Sequence, residues 1–354
     1  MFTYAPENLE SSPPLVVVLH GCTQSAASYS HGAGWSTLAE RYGFVLLLPE
    51  QTTANNPKTC FNWFLPDDTT RGRGEALSIR QMIEKTICDH GIDRRRVFIT
   101  GLSAGGAMTS VMLAVYPEIF AAGAIIAGLP YGTASNVQEA FESMFHGRPR
   151  SAQEWGDLVR RASPHSGPWP RVSVWHGARD ATVQPANAEA ILQQWINVHG
   201  LQSSPIEHLV DGHRRQVWRN GSVDVIEYYT IAGMAHGTPL ATGSSAEQCG
   251  EAGPFFLEAG ISSSYRTAQF FGLTGAGRPR THTEPAQDRR EVNRASLVPE
   301  GQTEVIPDER SEILGPDAGV AGRRAQERTG GDPIDVHSII TSALTSAGLM
   351  KPPR

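Results

Sequence analysis

Residues 96–106 read RVFITGLSAGG, an apolar and β-branched run that halts at a serine set among glycines. Two structures fit such a stretch. One is a buried strand followed by an ordinary glycine-rich turn. The other is a nucleophile elbow, where Ser103 sits on a tight strand-to-helix turn and Gly101 and Gly105 are required because side chains there would collide with neighbouring backbone. The G-x-S-x-G pattern is too short to decide between them, so its surroundings must.

Working outward, similar runs recur at LVVVLH (15–20), FVLLLP (44–49), AAGAIIAG (121–128) and RVSVWHG (171–177). Continuous apolar runs bounded by turn residues predict strands buried on both faces. Helical patterns separate them: WSTLAERYG after Gly34, GEALSIRQMIEKTICDHG before Ile92, AGGAMTSVMLAVYPE after Ser103, and PANAEAILQQWINVHG from Pro185. This alternation predicts an α/β chain. Right-handed crossovers then give a mostly parallel sheet with helices on both faces and ligands at the carboxyl ends of its strands.

Residues 129–170 break the alternation with two short helical patterns, NVQEAFESMF and SAQEWGDLVRRA, predicting a small helical insertion over the sheet end, read either as a lid or cleft wall or as a plain surface subdomain. A catalytic domain is therefore expected over 1–274. Residues 275–332, rich in Gly, Pro, Arg and acidic residues, read as a disordered linker. Over 333–354, Val336, Ile339, Ile340, Ala343, Leu344 and Ala347 fall at helical spacing. This predicts an amphipathic helix that docks on the chain itself or on a partner.

The chain has 354 residues, 40% of them hydrophobic, enough to bury a sizeable core. Its formal charge of −6 gives no electrostatic reason to expect a nucleic-acid partner. No apolar run approaches the roughly 20 residues of a membrane span. The opening MFTYAPENLE lacks the pattern of an export signal, so the chain as it stands reads as cytoplasmic. Cys22, Cys60, Cys88 and Cys249 form no metal-spaced cluster, so no structural metal is expected, and the redox compartment stays open.

A serine hydroxyl is protonated at neutral pH and needs a base. Of the 12 histidines, His236 in IAGMAHGTPL has the best position, a glycine-rich loop after the strand-like VDVIEYYTI. His20, His176, His208 and His213 lie in or beside strands and turns and read as structural. The carboxylate that fixes the imidazole tautomer is Asp180 in VSVWHGARDATV, just past a strand. The order Ser103, Asp180, His236 is the α/β-hydrolase order. Acyl transfer also needs donors for the developing oxyanion. The backbone N–H of Ala104 supplies one, and HGCTQ (20–24) supplies a second from Cys22 or Thr23. No cofactor is required.

With LHGCTQ, CFNWF, GLSAGGAMT, VWHGARDATV and AGMAHGTPL in this order, the chain resembles the esterase family that includes poly(3-hydroxybutyrate) depolymerases and relatives of feruloyl and acetylxylan esterases, over about residues 2–274. The resemblance implies a serine esterase working through an acyl-enzyme, with Ser103, Asp180 and His236 as triad and the Cys22 N–H in the oxyanion hole. It further implies a Cys22–Cys60 disulfide and a substrate-lining role for Trp63. It also offers an exported protein as the alternative location. The implied substrate is a poly- or oligo-(3-hydroxybutyrate) ester. Plant cell-wall esters carrying ferulate or acetate are the alternative, because one fold serves many acyl groups. A non-catalytic hydrolase scaffold that binds a partner through its last helix is the alternative of another class.

Overall fold

A computed structural model describes residues 1–275. The expected linker (275–332) and terminal helix (333–354) lie outside the described residues, apart from Gly275. Among the described residues no helix is long and apolar enough to cross a membrane.

The chain opens with β1 (Phe2–Tyr4) and β2 (Leu15–Leu19), then α1 (Ala26–Gly32), α2 (Trp35–Tyr42) and β3 (Val45–Leu48). Next come α3 (Pro66–Thr69), α4 (Gly74–His90), β4 (Val97–Leu102), α5 (Ala104–Val115) and β5 (Ala122–Ile126). The insertion holds α6 (Val137–His146) and α7 (Ala152–Ala162), and β6 (Arg171–Gly177) and α8 (Ala186–Val198) follow it. The chain continues through β7 (Ile206–Val210), β8 (His213–Asn220), β9 (Val223–Ile231), β10 (Thr238–Leu240), β11 (Phe256–Glu258) and α9 (Ser263–Phe270).

Nine strands form one sheet in the order β1-β3-β2-β4-β5-β6-β9-β8-β7. The run from β3 to β9 is parallel, while β1 at one edge and the β8–β7 hairpin at the other are antiparallel. The sheet is therefore mostly parallel, as expected, with antiparallel edges that no apolar run announced.

Residues of alternating parity supply two separate cores, as the two-residue period of a strand requires. Leu15, Val17, Leu19, Val97 and Ile99 pack against α4, α5, α7 and α8. Val16, Val18, Phe98, Ala122 and Ala124 pack on the opposite face against α1, α2 and α9. Helix α5 is buried along its whole length, and the elbow that begins it follows β4, an interior strand of the sheet. In the insertion, the Ser151 hydroxyl accepts from Glu154 N–H and the Glu154 carboxylate reaches back to the Ser151 N–H, closing the first turn of α7. Helix α7 buries Trp155 and Val159 and packs on α8 and α5. The end of α6 instead meets the segment after β6, where Gln184 N–H donates to the Met144 carbonyl at 2.8 Å and Asn187 Nδ2 to the Ser143 carbonyl at 2.9 Å.

Candidate active site

Strand β4 ends at Leu102, and the next residue has φ 56° and ψ −116°. That residue is Ser103, in a backbone region that costs a non-glycine side chain about 1–3 kcal/mol. Hydrogen bonds hold the turn: Ser103 N–H donates to the Ile126 carbonyl at 2.9 Å, and its own carbonyl accepts from Ala107 N–H at 2.8 Å. The flanking glycines are required by close approach. A Cβ on Gly101 would lie 2.4 Å from the Gly105 carbonyl oxygen, and one on Gly105 would lie 2.3 Å from that of Leu19 and 2.5 Å from that of His20. The first turn of α5 thus abuts the end of β2. Ser103 remains half-buried, open on one side.

Two strands away, the loop after β6 carries Asp180, and one strand further the loop after β9 carries His236. Backbone bonds tie these loops together: Ala178 N–H donates to the Ile231 carbonyl and Arg179 N–H to the Met234 carbonyl, both at 2.9 Å. His236 Nδ1 then lies 2.7 Å from Asp180 Oδ2. The other oxygen, Oδ1, accepts N–H bonds from Thr182 and Val183 at 2.9 Å each. Burial alone would raise the Asp180 carboxyl, but chiefly the His236 imidazole, and also the Val183 N–H, hold it below the usual carboxylate range. A second imidazole, His176, also approaches. Its Nε2 lies 2.7 Å from the Val183 carbonyl, to which it donates, and 3.5 Å from Asp180 Oδ2. Burial pushes its pKa down, so it stays neutral beside the carboxylate.

At the mouth of β2, residues Gly21 to Gln24 form a turn closed by a Gln24 N–H to Gly21 carbonyl bond of 3.3 Å. Gly21 lies against Leu102, the residue before Ser103. Thr23 N–H donates to the Lys58 carbonyl at 2.8 Å, so of the two candidates here the Cys22 N–H is the one left for a ligand. Ala104 is the first residue of α5, where no intrahelical carbonyl reaches the N–H. Cys22 is joined to Cys60 by a disulfide; among the described residues Cys88 is free and exposed, Cys249 free and buried. Trp63 is 8% exposed and packs edge-on against Phe64, in the core, so little of its ring faces outward.

Of the other histidines, His213 bonds the Ala259 carbonyl and Ala232 N–H, a structural role. His20 is buried among polar partners that no sequence pattern flagged; Gln51 and Glu75 belong to the same group. Asn55 and Asn62 complete it.

The sheet order and the strand-end loops define an α/β-hydrolase. A family model described as esterase PHB depolymerase matches residues 3–216. The chain is 46% identical over 278 residues to poly(3-hydroxyalkanoate) depolymerase C of Paucimonas lemoignei, covering 78% of this chain and 67% of that protein. It is 36% identical over 209 residues to feruloyl esterase B of Thermothelomyces thermophilus, covering 57% and 71%. Among solved structures, acetyl xylan esterase from Aspergillus awamori superposes with a TM-score of 0.63 at 25% identity, covering 77% of this chain and 93% of that one. The chain belongs to the PHB depolymerase esterase family and is a carboxylic-ester hydrolase. That membership sets aside the non-catalytic scaffold.

Proposed function

We propose that the chain cleaves hydroxyalkanoate polyesters or their oligomers through a covalent acyl-enzyme on Ser103. The observation that carries the catalytic reading is the Asp180–His236 pair, joined at 2.7 Å on loops tied to one another, at the same sheet end as a serine in strained backbone.

In this reading Ser103 Oγ attacks the ester carbonyl carbon while His236 Nε2 takes the hydroxyl proton. Asp180 keeps the remaining proton on Nδ1 and stabilises the imidazolium. The negative charge that develops on the carbonyl oxygen is held by the N–H groups of Ala104 and Cys22. The tetrahedral species collapses, the C–O bond to the alcohol breaks, and His236 gives that alcohol its proton. Water then repeats the sequence on the acyl-enzyme, releasing the acid and restoring Ser103. Helix α6, tied to the segment after Asp180, forms one wall of the substrate cleft.

The substrate class rests on the longer and more identical match to the depolymerase. A second reading, cell-wall esters of ferulate or acetate, draws support from the feruloyl esterase match and the acetyl xylan esterase superposition. Comparing kcat/KM for 3-hydroxybutyrate oligomers, methyl ferulate and acetylated xylan separates them. The proposal requires the oligomers to be preferred, and a preference for ferulate or xylan acetate would replace it.

A further inference from the structure

The Cys22 N–H can serve an oxyanion only if the Gly21–Cys22 peptide is held in one orientation, and the structure contains a buried device that holds it. A trans peptide holds its C=O and N–H in one plane, pointing in opposite directions, so whatever grips the Gly21 carbonyl oxygen also aims the Cys22 N–H. That oxygen lies 2.7 Å from His20 Nδ1, its shorter contact, and also accepts the Gln24 N–H at 3.3 Å. The other ring nitrogen, Nε2, accepts the Gln51 N–H at 3.1 Å and is therefore unprotonated. The proton must then reside on Nδ1, which donates to Gly21.

His20 is fully buried, with its ring 5.0 Å from that of Phe61. Gln51 is fixed in turn. Its Nε2 donates to the Glu75 carboxylate and to the Cys60 carbonyl, and its Oε1 accepts from Thr52 N–H and Asn55 Nδ2. Glu75, on the first turn of α4, also accepts from Asn55 Nδ2 at 2.9 Å and from Asn62 N–H at 2.8 Å. One carboxylate thereby clamps both ends of the loop that carries Cys60, the disulfide partner of Cys22.

We propose that His20, Gln51 and Glu75 form a positioning relay, fixing the Gly21–Cys22 peptide plane so that the Cys22 N–H points at the carbonyl oxygen of an ester on Ser103. This rests on the assignment of Cys22 as an oxyanion donor. None of the three side chains touches substrate. They act by removing the freedom of one peptide plane, so their loss weakens the transition state and leaves ground-state binding nearly unchanged.

Two replacements of His20 separate positioning from packing. In His20→Asn the amide nitrogen stands where Nδ1 stood and can still donate to Gly21; in His20→Gln the amide stands near Nε2 and the Gly21 bond is lost. Rates are taken per active site titrated with a p-nitrophenyl phosphonate, so that unfolded protein does not count. His20→Gln should lose about 10- to 100-fold in kcat on a p-nitrophenyl ester with KM within about twofold, and His20→Asn should recover most of that loss. Equal losses in both variants would overturn the relay.

The Cys22 amide supplies the second readout. With 15N-cysteine labelling only four amide signals arise, one for each cysteine of the chain. Forming the phosphonate adduct on Ser103 should move the Cys22 proton downfield in the wild type and markedly less in His20→Gln. An equal shift in both would overturn the relay while keeping the donor. No shift in the wild type would overturn the donor assignment, and the relay with it.

Discussion

Asp180 and His236 meet through one carboxylate oxygen, Oδ2, 2.7 Å from Nδ1, while the other oxygen is occupied by the N–H groups of Thr182 and Val183. The carboxylate cannot rotate without giving up three bonds. It therefore dictates which imidazole nitrogen carries the proton.

Asp180→Asn keeps the shape and presents an amide that favours the wrong tautomer. On a soluble aryl ester we expect kcat to fall by about 10³- to 10⁴-fold with KM little changed. Stopped assays at substrate saturation would measure this, and a loss below about tenfold would remove Asp180 from the proposed triad.

The elbow tolerates no added carbon. Gly105→Ala would drive a methyl group into the carbonyl oxygens of Leu19 and His20. The first turn of α5 must then move away from β2, carrying the Ala104 N–H with it. Destabilisation of about 1–3 kcal/mol in urea, with loss of nearly all esterase activity, is the expected outcome.

How much of this was legible in sequence follows from where water is. Strands β2 to β6 announce themselves because both faces are buried, which leaves continuous apolar runs such as LVVVL. The hairpin strands β7 and β8, of which β7 forms the sheet edge, carry exposed residues such as Leu209, 77% exposed, opposite Arg214, and resemble loop composition. Ser103, Asp180 and His236 each follow a strand, so the strand pattern also located them. Glu75 gave no such signal. It reads as an ordinary acidic residue in a helix's first turn, and its partners Gln51 and Asn62 come from a loop whose path only the tertiary structure defines. Trp63, for which the resemblance implied a substrate-lining role, is 8% exposed and packs in the core.

Glu75 also makes stability depend on pH. Burial, with Asp68 nearby, pushes its carboxyl from an ordinary 4.5 up to about 7 against the pull of its hydrogen-bond donors. Between those values the folded chain holds a proton that the unfolded chain has released. The stabilisation is thus full below about pH 4.5 and is lost as pH rises through about 7, roughly 3 kcal/mol in all. Urea titrations at about pH 5 and about pH 8 should show this decline in the wild type and a smaller one in Glu75→Gln; identical declines would assign the pH dependence to other groups.

The disulfide closes a loop between positions 38 apart in sequence. Replacing both Cys22 and Cys60 by serine should cost on the order of 3–4 kcal/mol from the freed unfolded chain. Because the Cys22 N–H survives the change, kcat should fall with the loosened loop while Ser103 still reacts with a phosphonate. Thermal melts and active-site titration would record the two effects separately.

The most direct test of the account is the release of 3-hydroxybutyrate and its oligomers from amorphous polymer, followed by mass spectrometry for the wild type and Ser103→Ala. The account predicts release by the wild type alone, with both proteins melting at nearly the same temperature. Comparable release by a folded Ser103→Ala protein would contradict it.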